Sequence, residues 1–112
     1  LEIKLCPRLG EKGLYATKFY PKSSVVFLLN GKIFEHPTKY TIHIGNNKHI
    51  HDPQGIYMNH SFTPTTKIIG RNVIAINDIN IGDEITFNYN VSEINMASPF
   101  YADGQLVSGS KI

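Results

Sequence analysis

The sequence predicts a mostly β domain made of several small sheets. β-branched and aromatic residues cluster in brief runs, and these runs are separated by Gly, Pro, Asn and Asp, the residues that turn a chain. Few stretches read as helical. At 112 residues the chain has the length of one domain, since two halves would each bury too little apolar surface.

Strands are expected over 13–19, 24–27, 31–34, 40–44, 48–50, 67–75 and 84–89. The first runs through Leu14, Tyr15 and Phe19 and stops at Pro21-Lys22, and the second gathers Val25, Val26 and Phe27. The third opens at Gly31, and the fourth ends at Gly45-Asn46-Asn47. Asp52-Pro53 closes the fifth, while 67–75 is rich in Ile and Val. The last is launched by Asn80-Ile81-Gly82-Asp83 and alternates, with Phe87 and Tyr89 on one face and Thr86 and Asn88 on the other. From Ser92 the pattern changes to Met96-Ala97-Ser98-Pro99-Phe100 and then a Gly- and Ser-rich tail, expected to pack as a loop or last strand. No repeat, low-complexity tract or linker divides the chain.

Composition excludes several classes of function. Hydrophobic residues at 41% and charged residues at 18% are ordinary for a folded soluble protein and unlike a disordered chain. The net charge of +2 is spread without a basic block, so direct nucleic-acid binding is not expected. The longest apolar run, 25–29, is too short for a bilayer, and the start lacks a secretory pattern. The expectation is a soluble intracellular protein with no membrane partner, its compartment unknown. The chain opens at Leu1 rather than a methionine, which leaves targeting open. Cys6 is the only cysteine, so an intramolecular disulfide is excluded and a buried or inert thiol is expected. His49 and His51 share one face of a strand but have no convincing third ligand, so no metal site is expected.

Three segments could carry chemistry. In Gly10-Glu11-Lys12-Gly13-Leu14-Tyr15-Ala16 a glycine beside an apolar strand either makes a plain turn or lets the backbone approach a ligand closely. In Tyr57-Met58-Asn59-His60-Ser61-Phe62-Thr63-Pro64, Asn59 and His60 read either as turn formers and a satisfied buried histidine or as ligand-binding groups. In Gly82-Asp83-Glu84-Ile85-Thr86-Phe87-Asn88-Tyr89, the two aromatics could simply be core.

Taken together, and in this order, the three segments resemble the SET-domain family of protein lysine methyltransferases, over about residues 12–89. Lys12-Gly13-Leu14-Tyr15-Ala16 is similar to the second half of the family's Gly-x-Gly cofactor loop. Asn59-His60-Ser61 with Pro64 resembles its Asn-His-Ser-Cys-x-Pro-Asn motif, and 82–89 its Gly-Glu-Glu-Leu-Thr-Tyr/Phe-Asp-Tyr motif. The resemblance implies a β-clip-like fold of several short curved sheets over the whole chain, 1–112, with 92–112 as a C-terminal tail. It also implies a knot-like crossing near the C-terminus, where the strand after Gly82 threads beneath the loop carrying Asn59 and His60.

The same resemblance implies S-adenosyl-L-methionine as cofactor and a lysine in a protein or peptide, histone or other, as methyl acceptor. Tyr89 then matches the catalytic tyrosine. Phe87 matches the position, phenylalanine or tyrosine, that influences how many methyls are added, and phenylalanine leaves room for di- or trimethylation. Tyr40 is either a second wall of the lysine channel or a core aromatic. Asn59 and His60 are expected to bind cofactor through side-chain and backbone hydrogen bonds, and Lys12, Gly13 and Leu14 mostly through backbone. Phe100 falls where many members pack an aromatic on the adenine, and Ser98-Pro99-Phe100 is similar to the start of their C-terminal segment.

Departures from the family pattern are equally specific. Glu11 stands where the first loop glycine is expected, with Gly10 adjacent, and Ile56 where an arginine often precedes the Asn-His pair, leaving one cofactor contact unfilled. Phe62 replaces the usual cysteine and Thr65 the final asparagine. No cysteine follows Cys6 to build a zinc-binding tail, so a tail that closes the site must do so by apolar packing. The alternative function is a catalytically weak or inactive module that keeps the fold and holds a protein or peptide. The stretch 31–51 that shapes the peptide groove is short, so substrate selection is expected to depend on a second subunit, a flanking domain or another partner.

Overall fold

The computed structural model describes residues 1–7, 9–93, 99–102 and 104–109. Met96, Ala97 and Ser98, which the sequence reading singled out, lie outside the described residues. The chain opens with a strand that was not anticipated, β1 (Glu2–Cys6), paired antiparallel to β2 (Glu11–Tyr15) with Ile3 opposite Leu14. Its apolar residues Ile3 and Leu5 stay exposed, so backbone pairing with β2 rather than a buried face holds it. β2 was expected to continue to Phe19 but leaves the sheet after Tyr15. There the Ala16 N–H donates to the Asp83 carbonyl at 2.9 Å, and its own carbonyl accepts from the Gly82 N–H at 2.8 Å.

β3 (Val25–Leu28) and β4 (Lys32–Phe34) fall close to their expected positions. β5 (Ile42–Gly45) starts later than expected because Thr38 and Thr41 close a turn, with the Thr38 N–H donating to Thr41 Oγ1 at 2.8 Å. β5 joins β6 (Lys48–His51) through Asn46 and Asn47, both with positive φ, which is the tight hairpin chemistry read from Gly45-Asn46-Asn47. A two-residue strand, β7 (Asn59–His60), follows a 3-10 turn at Gly55–Tyr57.

The single strand expected over 67–75 is a hairpin, β8 (Thr66–Ile69) and β9 (Asn72–Ala75). Gly70, at φ 58°, makes the reversal together with Arg71. β10 (Glu84–Phe87) also ends earlier than expected: Asn88 caps one turn of helix, α1 (Tyr89–Ser92), its side chain accepting from the Asn90 N–H at 3.0 Å. The tail forms a hairpin, β11 (Phe100–Ala102) and β12 (Gln105–Val107).

The strands assemble into sheets ordered β1-β2-β10-β7, β3-β9-β8, β4-β6-β5 and β11-β12. Leu14, Val26, Leu29, Ile50, Met58, Val73, Ile79 and Ile85 are buried where these sheets meet. Each such side chain contributes about 1.5–3 kcal/mol on burial. β10 lies between β2, antiparallel, and β7, parallel, with Thr86 beside Asn59 and Phe87 beside His60. The strand after Gly82 therefore runs against the loop carrying Asn59 and His60, the contact that the expected crossing requires. Cys6 is buried, its Sγ 3.7 Å from Glu84 Oε1.

Candidate active site

Asp52 sets up the approach to the central motif. Its Oδ1 accepts the N–H groups of Gln54, at 2.8 Å, and Gly55, at 2.6 Å, while Oδ2 accepts that of Asn30 at 2.7 Å. These bonds shape the 3-10 turn that delivers Met58 to the core and Asn59 and His60 to β7. The following loop is laced along β10. The Ser61 N–H donates to the Phe87 carbonyl at 3.1 Å, Thr65 Oγ1 donates to the Glu84 carbonyl at 2.9 Å, and the Thr66 hydroxyl donates to the Thr86 carbonyl at 2.7 Å. Thr65, a departure from the family motif, thus takes part in the lacing through its own hydroxyl. Phe62, the other departure, sets its ring edge-on to His60, with centroids 4.4 Å apart.

Asn59 Nδ2 donates to Glu84 Oε2 at 2.8 Å and to the Lys12 carbonyl at 3.3 Å, so the amide is fixed between β2 and β10. Gly13 leaves room for this arrangement: a Cβ on it would sit 2.8 Å from Glu84 Oε2 and 3.1 Å from Asn59 Nδ2, so those side chains would have to shift. Buried His60 accepts the Tyr89 backbone N–H on Nδ1 at 3.0 Å, which puts the ring proton of the neutral form on Nε2. The Tyr89 hydroxyl donates to the Met58 carbonyl at 2.5 Å. Its ring lies 4.7 Å from Phe87, 5.2 Å from His60 and 6.0 Å from Phe100, centroid to centroid. Burial, reinforced by the charges of Glu93, Glu11 and Glu84, holds the Tyr89 hydroxyl far above the ordinary tyrosine range. It therefore stays protonated at neutral pH and keeps its proton directed at the Met58 carbonyl.

These groups open onto one cleft of about 750 Å³, lined by Tyr40, Asn59, His60, Phe87, Tyr89 and Phe100 among others. Tyr40 is 55% exposed on the rim, which excludes the core-aromatic alternative. Lys12, Gly13 and Leu14 do not line the cleft. The Lys12 carbonyl and Gly13 stand behind Asn59, and the Leu14 side chain is fully buried in the core. Glu11 and Ile56, the departures at the cofactor loop and before the Asn-His pair, do line it.

The tail reaches the cleft by more than apolar packing. Asn90 Oδ1 accepts the N–H groups of Ser108 and Gly109, each at 3.1 Å, and its Nδ2 donates to the Leu106 carbonyl at 3.1 Å. Val107 is buried and Phe100 sits edge-on to His60 and Tyr89. Hydrogen bonds from α1 therefore share with the rings the task of holding the tail.

Sequence reasoning missed Glu93, which lines the same cleft and is only 7% exposed. Its spacing of four from Tyr89 was the available signal, hidden because 84–89 read as one strand rather than as a strand and a helical turn. A second hollow of about 580 Å³, lined by His43, Lys67, Asn88 and Ser92 among others, contains none of the expected site residues. Among the described residues no group of three His, Cys, Asp or Glu side chains could hold a metal ion, and no helix is long and apolar enough to cross a membrane.

A mostly β chain of small sheets, with the Asn59–His60 strand paired to the strand that ends at Phe87 beside one cleft, is the arrangement of a SET-type domain. The SET domain family model matches residues 11–90, and the chain belongs to that family. A search of curated proteins finds no match. SET domains are in general protein lysine methyltransferases that use S-adenosylmethionine and bind protein or peptide substrates.

The cleft fits that cofactor. Its volume is in the range of small-molecule sites, Phe100 and His60 offer rings for a planar base, and Glu11 suits a cationic ligand. Asn59 and His60 lie in its lining.

Proposed function

We propose that the chain is an S-adenosylmethionine-dependent protein lysine N-methyltransferase. One observation carries the reading: the Tyr89 hydroxyl, the Phe87 ring, Asn59 and His60 converge on a single cleft although they come from different parts of the chain. The cofactor supplies an electrophilic methyl group. The protein's share is to align an amine with it and to keep that amine unprotonated. A lysine is mostly cationic at neutral pH, and a channel walled by Phe87, Met58 and Tyr40 disfavours the charge by desolvation. The Tyr89 hydroxyl, held by the Met58 carbonyl, offers an oriented dipole beside the amine. Phe87 at the inner wall favours addition of more than one methyl, to a histone or another protein lysine.

A second reading keeps the fold as a peptide-holding module without transfer. It is favoured by Glu11 and Ile56, which line the cleft where the family places a glycine and an arginine. Calorimetry with S-adenosylmethionine and S-adenosylhomocysteine separates the two, using the intact chain beside an Asn59→Ala, His60→Ala variant. Binding by the intact chain, weakened at least about tenfold in the variant, is the expected result, since it removes about 1.4 kcal/mol or more of polar contact. An intact chain that takes up neither compound leaves the module as the better description.

A further inference from the structure

Glu93 has no role in the family motifs. It follows α1, with its backbone N–H donating to the Tyr89 carbonyl at 2.8 Å, so its side chain stands one helical turn from the tyrosine. The residue is 7% exposed and lines the cleft together with Tyr89, Phe87 and Thr41. Its Oε2 accepts the His43 backbone N–H from β5 at 2.7 Å, which fixes the plane of the carboxylate. Oε1 has no hydrogen-bond partner among the described residues. One oxygen of this carboxylate is thus anchored, while the other is left open to a cationic group in the cleft.

We propose that Glu93 receives the ammonium group of the acceptor lysine and takes its proton before methyl transfer. The proposal rests on the methyltransferase reading of the cleft and assigns it the one function the motifs leave without a residue. An N–H bond of the lysine ammonium breaks, its electron pair stays on nitrogen, and the proton passes to Glu93 Oε1. The nitrogen lone pair then forms the bond to the methyl carbon as the carbon–sulfur bond of the sulfonium donor breaks, with that electron pair left on sulfur. The product is a methylated ammonium, and Glu93 returns its proton to solvent. One proton leaves per methyl added, and a second round needs the same step again.

Charge around Glu93 suits this task. Burial pushes its carboxyl up to about 7 against the small opposing effect of the His43 N–H, near the value that serves a base at neutral pH. The titratable groups of the elements around it are His43 on β5, backed by His49 on β6 at a ring separation of 5.0 Å, and Tyr89 on α1. Glu11, Lys39, Tyr40, His60 and Tyr101 line the rest of the cleft. The Tyr89 hydroxyl stays protonated and so does not compete for the proton.

The test is carbon-13 NMR of the glutamate carboxyls in the full chain saturated with S-adenosylhomocysteine, Glu93 being assigned with Glu93→Gln. The probes are Nα-acetyl-lysine amide, whose only charge is the side-chain ammonium, and the matching norleucine amide, which lacks it. The lysine probe is expected to move the Glu93 resonance and lower its titration midpoint by about one pH unit or more, as a nearby cation does, and the norleucine probe to leave both in place. Glu93→Gln, which keeps an acceptor for the His43 N–H, is expected to bind S-adenosylhomocysteine like the wild type while losing its preference for the lysine probe. A Glu93 resonance indifferent to the lysine probe, in a chain that binds S-adenosylhomocysteine, overturns the proposal alone. A chain that does not bind S-adenosylhomocysteine overturns the reading beneath it as well. The wild-type titration decides even if Glu93→Gln fails to fold, because Glu93→Asp supplies a second assignment of the resonance.

Discussion

Tyr89 directs its single hydroxyl proton to the Met58 carbonyl, so the orientation of the oxygen at the cleft is set before any ligand arrives. Replacing Tyr89 with Phe is expected to lower methyl transfer at least about 100-fold, the scale on which oriented donors act at a reacting centre. Binding of S-adenosylhomocysteine by calorimetry should stay within about twofold; an equal loss of both would assign Tyr89 a purely architectural role. The variant also leaves the Met58 carbonyl without its donor, a cost of about 1–3 kcal/mol that a denaturant titration will show. Phe87→Tyr adds a hydroxyl to a side chain that is 2% exposed, and the product distribution read by mass spectrometry should move towards monomethyl-lysine. An unchanged distribution would remove Phe87 from the channel. The two aromatics were readable from the motif that ends at Tyr89, although the alternation that placed them on one strand face stops at Phe87 and a helical turn brings the Tyr89 ring to it. Glu93 was not, since its partner on β5 is distant in sequence and only the folded chain brings His43 to it.

At the scale of elements, two side chains organise more backbone than their size suggests. Asn90 ties α1 to the tail through three hydrogen bonds to residues 106, 108 and 109. Asn90→Ala is expected to detach the β11–β12 hairpin and speed amide exchange at Gln105 and Val107 at least about tenfold, while β10 stays protected. Exchange rates that do not change would mean that Val107 and the rings of Phe100 and His60 hold the tail unaided. Asp52→Ala frees three backbone N–H groups around the 3-10 turn and should cost about 2–4 kcal/mol in chemical denaturation. Turns with their own chemistry, such as Asn46-Asn47, were legible as elements. The hairpin at Gly70-Arg71 was concealed by the Ile and Val runs that surround this short polar turn, and β1 by its lack of a buried face, which makes it depend on the partner strand that is present.

For the molecule as a whole, stability should depend on pH through the buried groups beside the cleft. The Glu93 carboxyl is raised on folding, so its favourable contribution is complete below the ordinary glutamate value and is lost as pH rises through about 7. Between pH 5 and 8 the wild type should lose about 2–3 kcal/mol relative to Glu93→Gln in paired urea titrations. Parallel curves would place Glu93 in contact with water. His49 works in the opposite direction: burial first, then His43 and His36, lowers its ring, so its contribution is lost as pH falls below the usual histidine range. The fold class, and the meeting of the second and third motifs at one cleft, could be anticipated from their order, whereas the expected contact of Lys12, Gly13 and Leu14 with that cleft is not found. The sheet order β1-β2-β10-β7 could not, because propensity says which residues extend but not which strand enters between two others.

That insertion governs the order in which the protein can be made. β2 and β7 leave the ribosome well before β10, yet in the finished sheet their backbones are paired through it and not with each other. The local hairpins β5–β6 and β8–β9 can close during synthesis, while Leu14, Asn59 and His60 wait for residues 84–87 to arrive. Contacts spanning such long stretches of chain make the last step of assembly slow. A nascent chain halted before Glu84 would carry two of the three motifs and neither the sheet nor the cleft.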